Sequence, residues 1–299
     1  MILRLPPPTD TKHMAIFISD LANLNNIAND IEKRSKSQLS RVLAAQKFEA
    51  KKNAITILYG VAEVDRLVVL GLDQDQSFDA VALQNLGGTI AKSMGVALNG
   101  DTVTIDTRGL MAEQDDATAY LALGYRLQNY RFDKYRTQKL NSNGHVVFVS
   151  STYEQAKQTY STDLKHIAQG VYLARNLSSE PGKTIYPRSF VDAVKTQFKG
   201  VKNVKLDVLT LKGMKKYNMG ALIGVGQGSV NEPKLLVIEY RGADKNQQPI
   251  AIAGKGITFD TGGISRCCLL CAEKIQPKIV SQYSDPDRFS VKCLRRRIC

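Results

Sequence analysis

The chain has 299 residues, 43% of them hydrophobic, and a net charge of +13 at pH 7, with a mean hydropathy of −0.21, which leaves room for two cores in an ordinary globular composition. No apolar run approaches the roughly 18–20 residues that span a bilayer, and the opening Met1-Ile2-Leu3-Arg4-Leu5-Pro6-Pro7-Pro8 lacks the basic region, apolar core and cleavage site of a secretory leader, so a cytoplasmic protein with no membrane partner is expected. The last 34 residues carry eight Lys/Arg against three Asp/Glu, or +5, and the other +8 is spread thinly over residues 1–265; with no aromatic-interleaved basic stripe it reads as a solvated surface, nucleic acid being the alternative partner.

Short apolar runs alternate with helical patterns, which predicts an α/β fold. Leu21, Leu24, Ile27 and Ile31, then Leu39, Val42 and Leu43, recur at three- and four-residue steps and predict amphipathic helix, with Ser19 or Asp20 as the first N-cap. Residues 55–59 and 67–70 read as strands, 85–98 as a helix, 102–105 as a strand, 116–131 as a helix and 146–149 as a strand. These make a self-sufficient N-terminal α/β domain over residues 1–150. Residues 151–177 are helical in pattern, with Ala156, Leu164, Ile167, Ala168, Val171 and Leu173 apolar, and read as a linker helix.

Pro181, Gly182 and Pro187 then break the chain. A second α/β set follows over residues 178–265: helix 190–198, strand 204–209, helix 211–217, and strands 235–240 and 250–253 joined by a polar hairpin connection over 241–248. Gly224-Val225-Gly226-Gln227-Gly228-Ser229 fits neither the dinucleotide fingerprint nor the phosphate loop and reads as a permissive glycine loop. His13, His145 and His166 are scattered, and no Gly-x-Ser-x-Gly elbow is present.

Chemistry concentrates in Gly254-Lys255-Gly256-Ile257-Thr258-Phe259-Asp260-Thr261-Gly262-Gly263-Ile264-Ser265, directly after an apolar run. An aspartate at a strand end can bridge two divalent cations, which activate water and polarise a carbonyl. A lysine binds a metal only as the neutral amine, so a cation there must displace its proton. A surface ion pair is the plain alternative for Lys255 and Asp260.

That run closely resembles the metal-binding signature of the leucyl (cytosol) aminopeptidase family. Tyr130-Arg131-Phe132-Asp133-Lys134-Tyr135, Ala174-Arg175-Asn176-Leu177, Glu180-Pro181, Pro187, the stretch from Met219 to Ser229 and Leu236-Val237-Ile238-Glu239-Tyr240-Arg241-Gly242 resemble other family segments. The resemblance is specific over residues 120–265 and, before that, is one of architecture alone. It implies a macro-domain-like N-terminal α/β domain, a linker helix and the first part of an α/β dinuclear-metal peptidase domain. It further implies hexamers that remove N-terminal residues, often leucine, from peptides using two Mn²⁺ or Zn²⁺ ions. Lys255 would be a ligand of one metal and Asp260 a ligand of both.

After Ser265 the pattern departs. The family's catalytic lysine position holds Cys267 and its next aspartate ligand position holds Lys278. The family's later Asn-Thr-Asp-Ala-Glu-Gly-Arg signature is absent. No catalytic residue is assigned, and the expectation is a truncated aminopeptidase-like chain that is inactive alone, with a sheet edge and apolar faces left uncovered. The alternative is a non-catalytic binding or oligomer-assembly protein that works through its N-terminal domain. All five cysteines follow Ser265, so residues 1–265 hold no disulfide. Residues 266–299 read as an aberrant, disordered tail translated in a wrong frame; a zinc site of Cys268, Cys271, Cys293 and Cys299 is the competing reading.

Overall fold

The apolar run Met14-Ala15-Ile16-Phe17-Ile18 forms the middle of a sheet and is buried on both sides, as a parallel strand covered on both faces must be. The structure, a computed structural model, describes residues 2–4, 11–75, 77–95, 101–110, 115–137, 145–243 and 248–258. It divides into two units, residues 1–178 and 179–299.

The first unit is a six-stranded mixed sheet of β1 (Ile2–Arg4), β2 (His13–Ile18), β3 (Ile55–Val61), β4 (Val64–Gly71), β5 (Val103–Asp106) and β6 (Val146–Val149), ordered β1-β6-β5-β2-β4-β3. All neighbours run parallel except β3, which is antiparallel to β4. Side chains alternate across β2. Ala15 and Phe17 join Val68, Ile105 and Phe148 under α3 (Ala80–Met94) and α4 (Ala117–Gln128). Met14, Ile16 and Ile18 join Leu67 and Val69 under α1 (Asn26–Arg34) and α2 (Gln38–Ala45).

Helices α3 and α4 cross at two glycines. A Cβ on Gly87 would lie 1.9 Å from the Leu121 carbonyl oxygen, and one on Gly124 would lie 1.8 Å from that of Gln84. Backbone meets backbone there, and no larger residue fits without moving a helix. The β3–β4 hairpin turns at Ala62 (φ 54°) and Glu63 (φ 62°), the positive-φ pair that matches strand twist in a two-residue turn.

Strand β2 escaped the sequence reading, although its apolar run carries the signal of a buried strand. Helix α1 starts later than the periodicity suggested. Its cap is Asn25 rather than Ser19 or Asp20: the Asn25 side-chain oxygen accepts from Ala28 N at 3.0 Å while its amide donates to the Phe17 carbonyl at 2.6 Å. Helix α3 begins at Ala80 because Asp79 caps it, accepting from Ala82 N at 2.6 Å. The helical stretch beyond β6 comprises α5 (Tyr153–Thr159), a π turn over Tyr160–Leu164, and α6 (Lys165–Ser179). Ala156, Tyr160, Leu164 and Ala168 of this stretch pack into the first unit's core.

In the second unit, α7 (Pro187–Gln197), α8 (Leu211–Lys216) and α9 (Gly220–Gly226) accompany an antiparallel pair, β7 (Val204–Leu209) and β8 (Leu235–Tyr240). Pro187 at the first position of α7 is already held at a helical φ. Two expectations are corrected here. The first half of the glycine loop is helical, since α9 runs through Gly226 and residues 227–229 then turn. Residues 250–253 form no strand, and Ile250 and Ile252 are 91% and 92% exposed. An apolar run becomes a strand only where a neighbouring edge takes up its backbone groups. Among the described residues no helix is long and apolar enough to cross a membrane.

Candidate functional site

Lys255 lies in an irregular, exposed segment covering residues 248–258. The segment runs past α7, where Phe190 Cζ lies 3.9 Å from the place a Cβ on Gly256 would occupy. Asp260, the second expected ligand, lies outside the described residues, as do Cys267, Lys278 and the other four cysteines. The structure therefore places one of the two site residues and brings it to no partner ligand: among the described residues no cluster of three or more His, Cys, Asp or Glu could hold a metal ion.

Two acidic residues of the second unit's strands are engaged elsewhere. Glu239 accepts from Arg241 Nε at 2.9 Å and from Nη2 at 3.0 Å. That contact holds the Glu239 carboxyl below its ordinary value. Asp207 pairs with Lys205 at 2.8 Å. A lysine ammonium donates three hydrogen bonds and accepts none, so Lys255 ligates only after losing its proton. The described residues do not fit a dinuclear centre.

The three histidines stay apart. His13 is buried at the start of β2, its Nε2 3.5 Å from Asp101 Oδ2. His145 and His166 are exposed, and the latter contacts Gln169. At the carboxyl ends of β5 and β6, where open α/β sheets bind ligands, the polar side chains are satisfied internally. Buried Asp106 takes Arg108 on both carboxylate oxygens, at 3.0 and 2.6 Å. Thr107, Thr118 and Ser150 form a hydroxyl chain anchored on the Val149 carbonyl. No free acid or base stands among them.

The structure also joins two segments that lie more than 40 residues apart in sequence, as the 46-residue separation of Tyr130 and Asn176 shows. The Tyr130 hydroxyl donates to Asn176 Oδ1 at 2.8 Å, and the Arg175 guanidinium lies 5.3 Å from the Tyr130 ring. The Tyr130 and Tyr172 rings meet edge-on at 5.0 Å. Arg175 donates to the Leu127 carbonyl at 2.6 Å, and Arg126 lies 5.4 Å over Tyr172 and donates to the Tyr160 hydroxyl at 3.0 Å. Burial pushes the Tyr172 hydroxyl up. These contacts clamp α6 to the end of α4. The only local hint was the spacing of Tyr172, Arg175 and Asn176, which puts all three on one helix face.

Two family models match the chain: the N-terminal domain of the cytosol aminopeptidase family over residues 15–139, and the catalytic domain of the same family over residues 172–266. The probable cytosol aminopeptidase of Rickettsia bellii is 34% identical over 270 residues, a match that takes in 86% of this chain and 52% of the relative. The chain thus spans about half the length of the curated relatives it matches. Among solved structures, a tomato leucine aminopeptidase mutant shares the fold with a TM-score of 0.69 at 18% identity, over 86% of this chain and 53% of that one. The bottromycin maturation enzyme BotP in complex with Mn does so with a TM-score of 0.58 at 18% identity, over 79% of this chain and 46% of that one.

Proposed function

The chain belongs to the cytosol aminopeptidase family, and on that premise we propose that its second unit carries the opening portion of a metal-dependent aminopeptidase centre that does not hydrolyse peptides in this chain by itself. The observation that carries the reading is the catalytic-domain match over residues 172–266, which contains both Lys255 and Asp260. Lys255, as the neutral amine, would hold one ion, and Asp260 would serve as a carboxylate ligand. Bound Mn²⁺ or Zn²⁺ supplies a Lewis acid and an activated water. The manganese in the solved BotP complex supports a metal of this class.

A zinc or manganese ion takes about four to six ligands. One amine and one carboxylate would leave most of those positions to water, and ions held by them alone would exchange freely. An oxyanion developing on a peptide carbonyl also needs a fixed cation or donor beside it, and Cys267 and Lys278 stand where the family pattern has its catalytic lysine and a further aspartate. Removal of N-terminal residues from peptides by a homo-oligomer, a hexamer by family resemblance, is the activity we assign to a full-length arrangement of this fold.

The test compares the purified chain with a Lys255→Ala, Asp260→Ala double variant in millimolar Mn²⁺ or Zn²⁺. Both should release leucine from a leucyl chromogenic substrate at the background rate. Metal-dependent release by the unsubstituted chain that the double variant lacks would overturn the reading.

A further inference from the structure

The two edges of the six-stranded sheet are finished differently. Strand β1 is three residues long and ends on Arg4, and a short, charged edge offers another chain little to pair with. Strand β3, at the opposite edge, reads Ile55-Thr56-Ile57-Leu58-Tyr59-Gly60-Val61 and carries neither a charge nor a proline. Its hairpin with β4 closes on a two-residue turn with Val61 opposite Val64, and from such a turn the ladder bonds alternate. Ile55, Ile57 and Tyr59 therefore bond to β4, and the backbone groups of Thr56 and Leu58 point to the open edge. Among the described residues no strand pairs with that edge.

Ile55, Ile57 and Tyr59 share one face of the strand, where Ile57 packs against the core cluster that contains Val68. The cover stops there: Ile55 is 37% exposed and Tyr59 is 65% exposed. The Tyr59 ring meets Arg66 of β4 at 5.6 Å. An uncharged strand of this length, with free backbone groups and uncovered apolar side chains, lacks the usual protections of an edge.

We propose that the edge of β3 pairs antiparallel with the same edge of a second copy of this chain, about a two-fold axis at Ile57. The occupant is argued from self-complementarity. Only residues with outward backbone groups can bond, and an axis at Ile57 matches them: Thr56 of each copy meets Leu58 of the other. The same register sets Ile55 opposite Tyr59 twice, so the exposed apolar side chains cover each other. An axis at Leu58 also matches outward groups, but it draws in Gly60, whose φ of 67° departs from extended geometry. No like charges meet, because residues 55–61 have none. The contact is isologous and closes at two copies, and it draws on nothing in the second unit.

The test follows hydrogen exchange of the full 299-residue chain from low micromolar to near-millimolar concentration. The expected result is exchange at the Thr56 and Leu58 amides slowed by about tenfold or more as concentration rises. The Ile57 amide, bonded to β4, should be protected throughout. Ile55→Lys and Tyr59→Glu, both at exposed positions, should each abolish the slowing while leaving Ile57 protected, which shows the hairpin intact. An equal mixture of the two variants should restore it, because the introduced lysine of one copy then meets the introduced glutamate of the other. No slowing at the highest concentration overturns the proposal. So does slowing that is equal at every concentration, since another segment of the same chain then covers the edge. Slowing that survives both variants, or a mixture that restores none, overturns the register and the contact with it.

Discussion

Strands β2 and β8 carry nearly the same kind of sequence and meet opposite fates. Met14-Ala15-Ile16-Phe17-Ile18 lies between β4 and β5, with helices on both faces, and Ile16, Phe17 and Ile18 are at most 1% exposed. Among the described residues Leu235-Leu236-Val237-Ile238 pairs with β7 on one side only and is half-buried to exposed. Fully burying one such side chain contributes about 1.5–3 kcal/mol, so the first unit gains from β2 what the second cannot gain from β8. In the second unit the fully covered apolar residues among those described are Val191, Val194 and Met214. The comparison teaches that an interior-strand pattern records the neighbours a segment requires, and burial records those it has.

The largest test of this contrast is a pair of truncations. Phe17→Ala should cost about 3–5 kcal/mol, the usual loss for a buried phenylalanine. Val237→Ala should cost less than about 1 kcal/mol, because Val237 is 42% exposed and part of its transfer free energy was never gained. Urea unfolding followed by far-ultraviolet circular dichroism reads both. Equal losses would break the comparison.

Alkaline pH sharpens it. Burial pushes the Tyr125 hydroxyl up to about 12 from 10.0. Below pH 10 the ring is neutral in folded and unfolded chains alike, and this contribution to stability is fully present. Between pH 10 and 12 the unfolded chain ionises first, so the contribution falls away as pH rises through the folded value, by on the order of 2 kcal/mol. Tyr125 lies in the first unit, so this alkaline loss is one of the first unit's core. Unfolding melts at pH 9 and 11.5 should show it, and Tyr125→Phe should remove much of the difference.

Local signals carried much of the architecture. Val204–Leu209 and Leu235–Tyr240 are strands with the expected bounds, and Val146–Val149 likewise. The start of α1 was misplaced because its cap depends on Asn25 reaching the Phe17 carbonyl, eight residues back and on another element. The Tyr130–Arg175–Asn176 clamp escaped because its partners lie 46 residues apart in sequence and meet only when α6 packs on α4. Residues 250–253 failed in the opposite direction: their pattern is strand-like, but no second edge is there to pair with them among the described residues. Of the two ligand positions expected in the glycine-rich run, Lys255 lies on an exposed segment, and Asp260 lies outside the described residues.

Native-state hydrogen exchange of the chain alone tests the central contrast most directly. The account predicts that amides of β2 and β5 exchange only through global opening of the first unit, while those of β8 and residues 250–253 exchange faster by about two orders of magnitude or more. Comparable protection of β2 and β8 in the isolated chain would contradict it, because the second unit would then already possess the neighbours its sequence calls for.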